Sequence, residues 1–252
     1  MRDFLTDRTP RRGFVTRLAA AGAALGATLQ GRSLGAQTEA PSPARPSAPA
    51  PSAPPAWDLS WVDRLTTNHR QVFDAPELGD GVALHQASAW LQGYTDVYGA
   101  KDADANAVLV IRHFAIPMVM NDATWDRYDL GNVMAQFAAD KQPVKDPASG
   151  QPARRNPYLN ANNKPGDKYT SMYIWPNGGL DTLMTRGATV LACNLALGYM
   201  ATNVMAKKDG TTPDAALASL RQNLLPGVIV MPSGIFAVSR AEEAGCRYIY
   251  SV

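Results

Sequence analysis

The stretch Gly187-Ala188-Thr189-Val190-Leu191-Ala192-Cys193-Asn194 indicates the fold. Its centre, residues 188–192, is a nearly continuous apolar run, which is typical of a strand buried on both faces of a parallel sheet. Residues 194–207 follow at once, with apolar positions at helical spacing. A strand that leads directly into a helix is the repeating unit of α/β proteins.

The same unit recurs on both sides of this stretch. Further strands are predicted at residues 70–74, 107–111, 228–231 and 247–250. Further helices are predicted at residues 81–98, 120–130, 180–186, 213–223 and 233–244, with Asp80, Thr212 and Ser233 as caps. The alternation predicts an open, mostly parallel sheet of about five strands with helices on both faces.

Composition excludes several classes of protein. The chain has 252 residues, of which 46% are hydrophobic and 18% charged, so it can bury a core. It lacks the repeated apolar stretches of about 20 residues that a multi-span membrane protein needs. Its two cysteines exclude a disulfide-rich scaffold and an all-cysteine zinc site.

Residues 1–36 have the order of an export signal: basic residues, a mild apolar run at 18–29, then small residues. The segment 9–15, TPRRGFV, resembles the twin-arginine signal, with Arg11 and Arg12 as the pair. We therefore expect use of the twin-arginine export machinery and a periplasmic or otherwise exported protein, with cleavage near residue 35 or 36. A cytosolic, basic amphipathic start is the alternative.

Residues 37–56 form a Pro/Ala-rich linker, and seven of the 19 prolines lie in it. Such a composition favours extended chain, so we interpret it as a spacer before a folded domain at residues 57–252. Residues 1–36 hold six Arg and two Asp and the linker is neutral, so the whole-chain charge of +2 leaves −2 on the domain. A nucleic-acid partner is therefore not expected.

An irregular stretch at about 138–177 interrupts the domain, rich in Pro, Asn, Asp, Lys and Gly and carrying several aromatic residues. Irregular stretches of this length are unusual inside a compact domain. We interpret it as an insertion that acts as a lid or an oligomer contact. A solvated loop is the alternative.

The C-terminal third resembles the DsrE/DsrF-like family of sulfur-handling proteins. The resemblance rests on the strand that ends in Cys193 and on LLPGV (224–228), VMPSG (230–234) and VSRAEEAGCRYIY (238–250). It covers roughly residues 70–252, apart from the insertion. It implies a flavodoxin-like sheet, assembly into homo-oligomers, and a persulfide or sulfur-transfer role for Cys193.

Cys193 is the predicted reactive residue, because it stands where a strand ends and a helix begins. Ligands of open α/β sheets bind outside the carboxyl ends of the strands, and a helix N-terminus there favours a thiolate. A small buried packing residue is the alternative. We therefore expect a sulfur carrier, more than a turnover enzyme, whose partners are small sulfur species or a sulfur-transfer protein.

Four other residues are candidates for this site. His113 and Arg112 end the neighbouring strand, where His113 is expected to accept the thiol proton and Arg112 to bind an anion. Asn194 is expected to cap the helix or contact bound sulfur, and Asp122 to line the pocket. Structural roles are the alternative for His113, Asn194 and Asp122.

Two competing functions stay open. One is a non-catalytic binding or assembly module, in which the insertion provides the surface. The other is a redox protein whose haem or metal ion is held by Cys193 and His113. The chain has no HExxH, CxxC or Walker loop, so the leading hypothesis, the sulfur carrier, includes no metal site and no cofactor. A disulfide between Cys193 and Cys246 is not expected, since the two residues are predicted at opposite ends of the sheet.

Overall fold

The computed structural model describes residues 57–169, 174 and 176–252. The predicted signal and linker lie outside the described residues. The chain divides into two units, residues 1–53 and 54–252, and the second contains all the described residues.

Five parallel strands form one open sheet in the described part of the chain, which confirms the predicted α/β class. The order is β4-β3-β2-β1-β5, so the last strand returns to the far side of the first. The arrangement is flavodoxin-like. The strands are β1 (His69–Ala75), β2 (Ala105–Ile111), β3 (Thr189–Cys193), β4 (Ile229–Met231) and β5 (Arg247–Tyr250).

Helices cover both faces of this sheet, as predicted. Phe73 and Leu109 belong to the larger apolar cluster, whereas their strand neighbours Val72 and Val108 belong to a second cluster on the opposite face. The helices are α1 (Val82–Tyr98), α2 (Asp122–Tyr128), α3 (Leu130–Val133), α4 (Leu180–Thr185), α5 (Asn194–Met200), α6 (Ala206–Asp209), α7 (Pro213–Gln222) and α8 (Gly234–Glu243).

The larger cluster contains buried residues from five of the helices, namely α1, α2, α4, α5 and α7. The smaller cluster contains residues from α8 and from the segment 57–65. The helical path continues from α5 to α6 through one π-helical turn, Ala201–Met205. The smaller face is therefore covered by α8 and by the segment 57–65, which contains a 3-10 helix, Ser60–Arg64.

Helix caps confirm two predictions and correct one. Thr212 accepts the N–H of Ala215, and Ser233 accepts the N–H of Phe236, as expected of N-caps. The predicted cap Asp80 is wrong, because the residue before α1 is Gly81, in a left-handed conformation with φ of 88°. A tight turn with two glycines, and not a side-chain cap, therefore leads into α1.

The insertion is irregular apart from a short 3-10 turn, Asn160–Asn162, but its described part is firmly anchored. Fully buried Asn156 donates from Nδ2 to the carbonyls of Met118 and Met120, both at 2.8 Å. The backbone also approaches closely, since a Cβ on Gly131 would lie 2.4 Å from the nitrogen of Ala153. A solvated loop does not describe this part of the insertion.

Candidate functional site

The carboxyl ends of the parallel strands meet at one edge of the sheet, where α/β proteins bind their ligands. Cys193 ends β3, while Arg112 and His113 follow β2 directly. The topology therefore brings these three predicted residues to the predicted edge. Each of the three side chains contacts a different set of residues there.

Cys193 is both the last residue of β3 and the N-cap of α5. Its Sγ accepts a hydrogen bond from the N–H of Ala196 at 3.4 Å, and only 6% of the residue is exposed. An N-cap acceptor of this kind holds the sulfur against the donor end of the helix, which favours negative charge on it. The geometry suits a stabilised sulfur anion and also suits a packed thiol.

Asn194 does not cap α5, so the predicted capping role is wrong. It is the first residue of the helix, and its Oδ1 accepts a hydrogen bond from the guanidinium of Arg221 at 2.5 Å. Arg221 lies in the last turn of α7. Asn194 therefore ties α5 to α7 beside Cys193, and its contact with bound sulfur stays a prediction.

Arg112 is bound to a buried carboxylate that the sequence analysis did not identify. Its guanidinium donates to both oxygens of Asp74, at 2.6 and 2.9 Å, and Asp74 is 2% exposed. The hydroxyl of Tyr248 donates to the same carboxylate at 2.8 Å. A Cβ on Gly234 would lie 2.6 Å from Arg112, so the start of α8 packs directly on this side chain.

These contacts shift two pKa values. The hydrogen bond to Asp74 raises the pKa of Arg112, while burial and then the bond to Asp74 raise the pKa of Tyr248 to about 12. One feature of the sequence points to Asp74. It is the last residue of the strand predicted at 70–74, and Arg112 directly follows the strand predicted at 107–111. Because its charge is already paired, Arg112 is a poor free anion ligand.

His113 faces the loop after β1. Its Nδ1 lies 3.4 Å from Oε1 of Glu77, its ring centroid lies 4.0 Å from that of Phe114, and its side chain is 53% exposed. No hydrogen bond joins it to Cys193 within the described residues. The expected role of His113 as acceptor of the Cys193 proton stays a prediction, without a contact to support it.

Asp122 anchors the insertion. Its Oδ1 accepts the backbone N–H of Asn156 and the side-chain amide of Asn162, both at 2.8 Å. It is the first residue of α2, and the N-cap is Asn121, whose side chain accepts the N–H of Thr124. The observed contacts of Asp122 are therefore structural, and a role in binding stays a prediction.

A cavity of about 1040 Å³ lies between the loop after β1 and the insertion. Cys193 does not line it, but Phe114 does, and so does Phe137, whose ring stacks on Phe114 at 4.5 Å. Sequence analysis identified the insertion but not this cavity. Its apolar lining includes Leu78, Phe114, Met134, Phe137, Tyr158 and Ile174.

The second cysteine, Cys246, lies just before β5, at the opposite edge of the sheet from Cys193. Both cysteines are free and buried, and they belong to different apolar clusters. Burial raises the pKa of the Cys246 thiol to about 11. Cys246 is thus a protonated packing residue at neutral pH.

Within residues 57–169, 174 and 176–252, no group of three His, Cys, Asp or Glu side chains is placed to hold a metal ion. The same residues contain no helix long and apolar enough to span a bilayer. Comparisons with protein-family models, with curated proteins and with solved structures give no match to this chain.

Proposed function

We propose that the domain is a sulfur carrier that holds a persulfide on Cys193. The observation that carries the proposal is the hydrogen bond from the N–H of Ala196 to Sγ, at the N-terminus of a helix that follows the carboxyl end of a strand. The donor end of the helix stabilises the anion of a thiol or of a persulfide. The resemblance to the DsrE/DsrF-like family supports the same residue.

The transfer step exchanges one sulfur–sulfur bond for another. The Cys193 thiolate attacks the outer sulfur of a donor persulfide, a new bond forms to that sulfur, and the donor leaves as a thiolate with the electron pair. An acceptor thiolate later attacks the outer sulfur on Cys193 in the same way. No external oxidant or reductant is needed.

A protein partner suits this position, because α5 presents exposed apolar side chains beside the sulfur. Leu195 is 68% exposed and Tyr199 is 46% exposed. Apolar and aromatic side chains of this kind are enriched at the centres of protein interfaces. They support a sulfur-transfer partner or assembly of this chain with itself.

We infer further that the chain works after export to the periplasm. Arg11 and Arg12, the mild apolar run at 18–29 and the Pro-rich spacer at 37–56 support this inference from the sequence. The proposal thus concerns an exported sulfur carrier, which the spacer holds at a distance from the signal if that signal is retained.

Intact mass spectrometry of the full chain, incubated with glutathione persulfide at pH 8, tests the carrier role. We expect the wild-type chain and Cys246→Ser to gain one sulfur atom, removable by cyanide, and Cys193→Ser to gain none. Cys246→Ser is the matched control, because burial keeps the Cys246 thiol of the wild type protonated at this pH and its removal should not affect loading. Equal sulfur loading of Cys193→Ser, or no loading of the wild type, would overturn the proposal and leave a non-catalytic binding module.

A further inference from the structure

The cavity beside the insertion has an apolar floor and three exposed lysines in its lining. Phe114 and Phe137 stack within it, and Tyr158 and Ile174 close it from the other side, with 4% and 1% of their surfaces exposed. Its volume of about 1040 Å³ lies just above the usual range of small-molecule sites, about 300–1000 Å³. The cavity is therefore large enough for a drug-sized organic molecule.

Three lysines of the insertion, Lys141, Lys145 and Lys168, line the same cavity and are exposed. No carboxylate of the described residues forms an ion pair with any of them. The Lys168 ammonium instead lies 5.3 Å from the centre of the Tyr169 ring, and Lys141 donates to a backbone carbonyl. Their charges remain available to an anion.

The lining also holds three acidic residues, Glu77, Asp80 and Asp140, so its formal charge is balanced. Glu77 lies beside His113, at 3.4 Å from its Nδ1. Asp140 accepts the backbone N–H of Gln142 at 3.0 Å. The three lysines all belong to the insertion, which also carries Asp140, whereas Glu77 and Asp80 belong to the loop after β1.

Backbone strain is concentrated around this cavity. Four described residues other than glycine have positive φ, and three of them surround it: Asp80 at 52°, His113 at 50° and Lys141 at 57°. Asp80 and Lys141 line the cavity, and His113 contacts both Glu77 and Phe114 of its lining. Strain of this kind clusters at functional sites.

We propose that this cavity binds a small organic anion with a flat apolar body. The body lies against Phe114 and Phe137, and the anionic group meets the lysines at the mouth. The aromatic floor supplies dispersion and hydrophobic contact, and the lysines supply electrostatic attraction near solvent. The site is distinct from Cys193, which does not line the cavity, so it is a second binding function of the domain.

Two dyes of nearly the same shape test the ligand class. The probe 8-anilinonaphthalene-1-sulfonate carries one negative charge, and N-phenyl-1-naphthylamine is its uncharged counterpart. Fluorescence titration of the full chain should show saturable binding of both. The triple variant Lys141→Gln/Lys145→Gln/Lys168→Gln should bind the sulfonate about five- to tenfold more weakly, because three favourable charges are lost.

The matched control is Lys101→Gln/Lys207→Gln/Lys208→Gln, which removes the same charge from exposed lysines outside the cavity. We expect it to leave the affinity for the sulfonate within about twofold, since screening at 0.15 M salt weakens distant charges. The uncharged dye should bind both triple variants equally, and Cys193→Ser should bind both dyes as the wild type does.

Three outcomes would overturn the proposal: no saturable binding of the sulfonate, an equal loss in both triple variants, or an equal loss for both dyes. Normal dye binding by Cys193→Ser separates this result from sulfur loading, which the same variant abolishes if the carrier proposal holds. The exposed lysine substitutions leave the core intact, and urea unfolding of both variants confirms it.

Discussion

Asp74 is a buried charge that links three neighbouring strands near their carboxyl ends. It is the penultimate residue of β1, accepts two hydrogen bonds from Arg112 after β2, and accepts one from Tyr248 in β5. A buried carboxylate with three charge-assisted or hydroxyl donors is fully satisfied. Removing its charge would leave the guanidinium of Arg112 partly buried without a counter-ion.

We therefore predict that Asp74→Asn lowers the free energy of unfolding by about 3 kcal/mol. Urea denaturation measures this change. The control is Asp96→Asn, because Asp96 is exposed and accepts one hydrogen bond, from Gln92. Its change should stay below about 0.5 kcal/mol, and equal losses in the two variants would contradict the assigned role of Asp74.

The pH dependence gives a second test of Asp74. The pKa of Tyr248 rises from 10.0 to about 12, so the folded protein holds this proton more tightly than the unfolded chain does. The resulting stabilisation is present below pH 10 and is lost as the pH rises towards 12. In Asp74→Asn the tyrosinate absorbance of Tyr248, assigned with Tyr248→Phe, should appear at lower pH. An unchanged titration would mean that burial alone holds the phenol neutral.

At the scale of elements, the insertion depends on α2 for its position. Asp122 at the start of α2 accepts two hydrogen bonds from the insertion, through Asn156 and Asn162. Asp122→Ala should lower the unfolding free energy by about 1–3 kcal/mol, since two partly buried donors lose their acceptor. It should also speed tryptic cleavage at Lys141 and Lys145, both in the insertion.

Mass spectrometry of a trypsin time course, together with urea denaturation, measures both effects of Asp122→Ala. Asp214→Ala is the matched control, because Asp214 lies exposed in the first turn of α7, away from the insertion. Cleavage at unchanged rate in Asp122→Ala would show that the remaining contacts of Asn156 suffice to hold the insertion.

The regular elements were predictable because local pattern fixes them. The apolar runs of β2 and β3 are buried on both faces, and β5 has its predicted bounds, Arg247–Tyr250. The N-cap of α1 was predicted wrongly. Asp80 is a common N-cap residue type, but the residue that precedes the helix is Gly81, in a left-handed conformation. A positive φ at such a turn leaves little trace in a single sequence.

The candidate site was predictable only where the position of a residue follows from the local sequence pattern. Cys193 follows from strand and helix boundaries, and the structure places it at the N-cap of α5. The pairing of Arg112 with Asp74 spans 38 residues, and Tyr248 lies 174 residues from Asp74. The cavity likewise joins a loop near residue 79 to the insertion, and only tertiary structure brings these segments together.

At the scale of the whole domain, the two faces of the sheet are unequally covered. The larger cluster packs beneath several helices, while the opposite face has α8 and the segment 57–65. Within that segment Trp61 is fully buried, and its Nε1 lies 3.1 Å from Sδ of Met231, the last residue of β4. Trp61 thus links the start of the domain to its edge strand.

Trp61→Ala should therefore lower the unfolding free energy by about 3–5 kcal/mol, the usual cost of deleting a fully buried large aromatic side chain. Trp57→Ala is the matched control, since Trp57 is only half-buried at the end of the same segment and should cost less than half as much. Urea denaturation of the full chain gives both values. If the two substitutions lower the unfolding free energy equally, Trp61 has no special role in holding the segment 57–65 to the sheet. If Trp61 dominates, this one side chain accounts for most of the stability that the segment 57–65 contributes to the domain.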